Sequence, residues 1–146
     1  VVIEDECDKQ AREIFSLTVD GEDIEASLRA IAGRYLDFLL SPPAQSIFRV
    51  VIAESRRFPE LGRAFYDSGP DLGTRRLAQF FAGAVALKKL AIDDLELAAF
   101  QFTELCKTEV FYKQLLGVRS RTSDAEKARI AEGAVRVFLA AYGTGR

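Results

Sequence analysis

Three short stretches hold the residue types from which a chemical site could be built. "IDDLE", residues 92–96, sets two carboxylates side by side, as prenyl-transfer enzymes do to hold magnesium and a diphosphate. No second acidic pair completes such a site, so Asp93 and Asp94 are expected to open a helix, whose dipole favours negative charge there. "EDECD", residues 4–8, places Glu4 and Asp8 one helical turn apart. A di-iron bundle would also need Glu-x-x-His pairs, and the chain contains no histidine, so a solvated acidic face is expected. "RVVIAESRRFPELGRAFYDSGPD", residues 49–71, is rich in arginine and aromatics. Its Arg49, Arg56, Arg57 and Arg63, with Arg75 and Arg76 beyond it, alternate with Glu54, Glu60, Asp67 and Asp71, which reads as a salt-bridged surface. Arg49 is the exception, since it stands between Phe48 and Val50 and could reach a ligand carboxylate by a bidentate contact.

Two cysteines, Cys7 and Cys106, are too few for a disulfide scaffold or a zinc site. They read as reduced thiols that pack as small hydrophobes. Without histidine the commonest general base and the commonest metal ligand are both missing. No nucleophile–base pair stands out either. The expectation is a protein that is not an enzyme and uses no metal and no cofactor.

The bulk composition agrees with a helical, soluble chain. At 146 residues, 49% hydrophobic and 29% charged, it fits one domain over 1–146 with a sizeable core. A net charge of −2 provides no basic field to attract nucleic acid. The start, "VVIEDECDKQ", lacks the pattern of a signal peptide, and no apolar run approaches the roughly 18 residues of a membrane span. A cytoplasmic protein without membrane association is expected.

Hydrophobic residues recur at helical spacing throughout. The spacing predicts helices over 1–19, 24–40, 42–57, 60–68, 71–90, 94–116 and 124–142, an all-α helical bundle of about seven helices. Asp23 and Ser41, the latter followed by Pro42, are N-cap signals. Pro59 and Gly69-Pro70 read as breaks, with Gly69 as a left-handed cap. Asp93 with Glu96 and Ser123 with Glu126 read as capping boxes, and Gly117 and Gly143 as stops.

Two features exceed what a simple bundle needs. Helices 94–116 and 124–142 are apolar on two sides. Leu97 and Phe100 on the first, with Ala128, Ala131, Val135, Leu139 and Tyr142 on the second, would form a four-helix interface in a homodimer. The alternative is that both are central helices of a monomer. Secondly, Phe15, Tyr35, Phe38, Phe48, Phe80, Phe81 and Phe102 come from five predicted helices. Ordinary packing explains each one alone; a ligand cavity explains their number. Together with Cys7, Arg49, Ile52 and Cys106 they make a candidate lining, in which Tyr35 and Arg49 would orient a small, mostly apolar molecule.

"LLSPPAQSIFRVVIAESRRFPELGRAFYDSGPD" at 39–71 and "FYKQLLGVRSRTSDAEKARIAEGAVRVFLAAYG" at 111–143 resemble the C-terminal regulatory domain of TetR/AcrR-type transcriptional regulators. The resemblance covers essentially the whole chain. It implies a ligand-binding and dimerisation domain, within a regulator that is usually a repressor released by its effector. The family's N-terminal helix-turn-helix domain has no counterpart here, so DNA would be contacted only through a domain not present in this chain. Val1 would then lie inside the helix that joins the two. The breaks near Pro59 and Gly69-Pro70 would lie between helices around the effector cavity. A second hypothesis is a non-regulatory helical carrier of a lipid or a small aromatic ligand.

Overall fold

The computed structural model describes Lys9 and residues 23–145; Cys7, Phe15 and the rest of the expected helix 1–19 lie outside the described residues. Seven α-helices follow one another: α1 (Ile24–Leu39), α2 (Pro42–Glu54), α3 (Pro59–Tyr66), α4 (Leu72–Ala86), α5 (Leu95–Lys107), α6 (Val110–Leu115) and α7 (Asp124–Tyr142). The described residues form no strand; Leu90 and Gly143 pair in a single isolated bridge.

Local chemistry sets most helix starts. Asp23 accepts a hydrogen bond from Ala26 N at 3.1 Å, Ser41 from Ala44 N at 3.4 Å and Ser123 from Glu126 N at 3.2 Å. These side chains satisfy amides that have no partner inside the first turn. Pro42 and Pro59 occupy first-turn positions, where the missing N–H costs nothing. α5 is capped by Asp94, which accepts from Leu97 N at 3.0 Å, rather than by Asp93.

Three boundaries differ from the expectation, each for a physical reason. The chain does not break at Gly69-Pro70. Asp67–Asp71 forms a π-helical turn that joins α3 to α4, and Gly69 is not left-handed. A wider turn makes room for a proline ring that would clash with the preceding turn of an α-helix. The hydroxyl of Thr74 donates to Pro70 O at 2.7 Å and so ties the π-turn to the first turn of α4.

The expected helix 94–116 is two helices. Glu109 between them has φ 67° and ψ −64°, and Val110 N donates to Thr108 O at 2.7 Å. This is a γ-turn of the strained, positive-φ hand. It turns α6 so that Val110 and Phe111 are buried. Likewise the expected helix 71–90 ends at Ala86, and Lys88 is left-handed at φ 60°. The chain then runs alongside the end of α7, where Ala91 N donates to Tyr142 O at 2.8 Å.

The core is built from one face of each long helix. Leu28, Ile31 and Leu36 of α1 meet Leu77, Phe81 and Ala84 of α4, Ala98 and Phe102 of α5, and Ala134 and Phe138 of α7. Alanines on α5 and α7 let the backbones approach, and the phenylalanines fill the space between them. A smaller cluster, Val51 and Phe65 with Ile47, Phe48 and Leu61, fixes α2 to α3. Among the described residues no single helix is long and apolar enough to cross a membrane.

Candidate functional site

The residues proposed to line a cavity fall into two groups. Tyr35, Phe38, Phe80, Phe81, Phe102 and Cys106 meet in the main core. Phe81 stacks on Phe138 with ring centroids 4.9 Å apart, and Phe102 meets Phe138 edge-on at 5.1 Å. Edge and offset contacts of this kind are the favourable aromatic arrangements. Phe138, the ring that joins the others, was not among the expected lining residues.

Burial governs the chemistry of the two polar members. It pushes the Cys106 thiol up to about 12, against a smaller opposing pull from Lys107. A thiol held in that form is a poor nucleophile at neutral pH. Tyr35 is raised first by burial, then by Cys106 and Glu104, with Thr103 opposing as a hydrogen-bond partner. Its phenol therefore stays protonated and acts as a hydrogen-bonding group, not as an acid.

The second group sits on α2. Phe48 packs edge-on between Phe65 and Phe111, 5.2 Å from each ring centroid. Ile52 lies just off the face that carries Ile47, Phe48 and Val51, and is 61% exposed. Arg49 donates from Nη2 to Gln114 O at 3.0 Å and from Nε to Leu115 O at 3.4 Å. It therefore meets the carbonyls at the end of α6, one of which, Gln114 O, also accepts from Gly117 N at 3.1 Å, and a cation is favoured there by the helix dipole. Among the described residues, then, the two groups do not form one wall.

Arg49 borders a groove of about 320 Å³ between α2 and the loop from α6 to α7. Leu40, Pro42, Gln45, Ser46, Gln114 and Arg119 complete most of its lining. Gln114 is buried and fully used: Nε2 donates to Leu40 O at 3.0 Å, and Oε1 accepts from the Thr122 hydroxyl at 2.6 Å. Arg119 pairs with Glu126, whose carboxyl it holds below the ordinary range.

The residues proposed for a subunit interface divide differently from the expectation. Ala131 and Val135 are buried in the chain's own core, and Leu139 and Tyr142 pack against it half-buried. They extend the inward side of α7, so the helix is rotated about its axis relative to the expectation. Leu97 is 50% exposed, Ala128 is exposed and Phe100 is half-buried. The outward side of α7 presents Val137, 49% exposed, and Ala141. With Gln101, Glu104 and Leu105 of α5 and Thr108 just beyond its end they border a mostly apolar groove of about 460 Å³. The Tyr142 hydroxyl closes its floor by donating to Gln101 Oε1. The phase was readable: the line 128, 131, 135, 139, 142 is apolar without interruption, whereas Val137 has Arg129 and Arg136 on one flank, which mark the solvent side.

Comparison with known proteins gives one consistent family. Residues 26–144 match the family described as AefR-like transcriptional repressor, C-terminal domain. Among solved structures, the flavonoid-responsive regulator FrrA is 31% identical with a TM-score of 0.87, over 99% of this chain and 73% of its own. A TetR-family regulator from Mesorhizobium loti is 25% identical with a TM-score of 0.82, over 97% of this chain and 68% of its own. A TetR regulator from Agrobacterium tumefaciens is 26% identical with a TM-score of 0.72, over 88% of this chain and 64% of its own. No curated protein matches the chain. The match to residues 26–144 and the likeness to FrrA over nearly the whole chain place this protein in the TetR family of transcriptional regulators, as its C-terminal regulatory domain.

Proposed function

We propose that this domain pairs two copies of a repressor and couples that pairing to a small, mostly apolar effector. The observation that carries the pairing is the groove between α5 and α7, with Val137 in its lining and Leu97 one helical turn before Gln101 on α5, each about half exposed. Apolar side chains collected on two adjacent helices are stabilised by a second copy of the same pair, in a two-fold four-helix contact. The family description as a transcriptional repressor supports the sign of regulation, and a flavonoid-responsive relative supports an aromatic effector. The aromatic cluster around Phe81, with Tyr35 as its polar anchor, is the proposed effector region, and an effector would enter it by parting rings that are packed against one another.

The mechanism is linkage. An effector that binds one arrangement of the helices more tightly shifts the population toward it. DNA affinity, held by a helix-turn-helix domain outside these residues, changes by the same coupling free energy. No reaction is required of the domain. Light scattering tests the pairing: the chain runs as a dimer at micromolar concentration, and Leu97→Glu runs as a monomer. A monomeric wild-type chain contradicts the proposal.

A further inference from the structure

Gln45 is 3% exposed, and its amide is only half used. Nε2 donates to Leu39 O at 2.8 Å, which fixes the orientation of the group. The opposite atom, Oε1, is buried and has no hydrogen-bond partner. Buried acceptors are nearly always satisfied, so an unmet one in a residue that lines a groove marks where a small opening of that groove would let a bound group donate to it. The same groove carries Arg49 one helical turn further along α2. Two bonds to α6 carbonyls occupy its Nε and Nη2, while Nη1 makes no hydrogen bond among the described residues. No carboxylate lines the groove; its other polar groups are Ser46, Gln114, Arg119 and Ser120. Leu40 and Pro42 supply an apolar wall.

We propose that the groove between α2 and the α6–α7 loop binds a small hydroxylated monocarboxylate. Its carboxylate meets Arg49, its hydroxyl donates to Gln45 Oε1, and its apolar body lies against Leu40 and Pro42. A site of about 320 Å³ holds a single substituted ring, and it shares only Leu40 with the core cluster that contains Phe81. The inference therefore stands whether or not that cluster binds an effector.

The probe is 3-hydroxybenzoate, with benzoate and 3-hydroxybenzyl alcohol as the two deletions, titrated by calorimetry into the purified chain. The expected result is binding of 3-hydroxybenzoate about tenfold tighter than benzoate, since a site built around a ligand hydroxyl discriminates against its loss. The alcohol, lacking the charge, binds at least tenfold more weakly than 3-hydroxybenzoate, on the order of a lost charge-assisted contact. The side-chain amide resonances of Gln45, assigned from their disappearance in Gln45→Leu, shift at saturation. Gln45→Leu abolishes the preference for the hydroxyl, so that 3-hydroxybenzoate and benzoate bind this variant equally. If that variant does not fold, Ser46→Asp decides: it is an exposed position, and a carboxylate there weakens both benzoates by about tenfold or more at low salt. Equal affinity for 3-hydroxybenzoate and benzoate, no binding at millimolar concentration, unmoved Gln45 resonances or an unaffected Ser46→Asp each overturn the proposal. They would assign Gln45 Oε1 to an ordered water instead.

Discussion

Val135 and Val137 stand two residues apart on α7; the first is 1% exposed and the second 49%. Both have the same side chain, stand on the same helix and share Arg136 as a neighbour, so residue type did not decide their surroundings. Helix phase did. Position 135 falls on the line that includes Ala131 and Phe138, whereas 137 faces away beside Arg136 and Ala141. One side of α7 therefore holds the fold together, and we assign the other to assembly. Substitutions should separate the two roles.

The largest effect is expected from Val135→Glu. It would put an uncompensated charge among Ile130, Ala134 and Phe138, at a cost of roughly 3–5 kcal/mol beyond the lost packing. That is comparable to the whole stability of a domain, so soluble folded protein should be lost, as read by circular dichroism. Phe138→Ala follows, at about 3–5 kcal/mol in denaturant titration, because it empties the space shared by Phe81 and Phe102. Equal stability of wild type and Phe138→Ala would mean that these rings surround a void and do not form a packed centre.

A smaller effect sharpens the same contrast away from α7. Gly117 ends α6 at φ 74°, and an added Cβ would meet nothing within 4 Å. Gly117→Ala should therefore cost only the backbone strain, about 1–2 kcal/mol. A larger loss of melting stability would reveal a contact at the rim of the α2 groove.

The smallest effect is electrostatic and lies on the surface. Lys113 and Arg129 hold the Glu109 carboxyl below its ordinary 4.5, and Arg119 does so for Glu126. A depressed folded pKa contributes stability above the unfolded value, and that stability is lost as pH falls through the folded one. Stability should thus decline below about pH 4.5. Glu109→Gln should flatten that limb slightly, and added salt should mimic it. A decline that is unchanged in Glu109→Gln would assign it to other carboxylates.

What could be read in advance follows the range of the forces. Asp23, Ser41-Pro42 and Ser123 act on the next three residues, so their helix starts were legible. The break at Glu109 was not, because Thr108-Glu109-Val110 contains neither glycine nor proline. It arises where Phe111 turns in to meet Phe48, a contact between residues 63 positions apart (111 − 48). Pro70 was misread for the opposite reason: its local signal is strong, but a π-turn absorbs the ring. In the candidate site, the aromatics were legible as a group from their number. Phe138 gives no signal of its own, because a single aromatic on an apolar helix face reads as ordinary core, and Arg49 was given to a ligand when α6 carbonyls already hold part of it. Carbonyls at a helix end leave no trace in side-chain chemistry.

The central claim is that the outward side of α5 and α7 pairs two copies while the inward side folds each one. Sedimentation velocity of the wild-type chain and of the double variant Leu97→Glu, Val137→Glu tests it most directly. The account predicts a wild-type dimer at micromolar concentration, and a variant that keeps its helical circular dichroism and sediments as a monomer. A variant that stays dimeric, or one that loses its helices as Val135→Glu should, would contradict it.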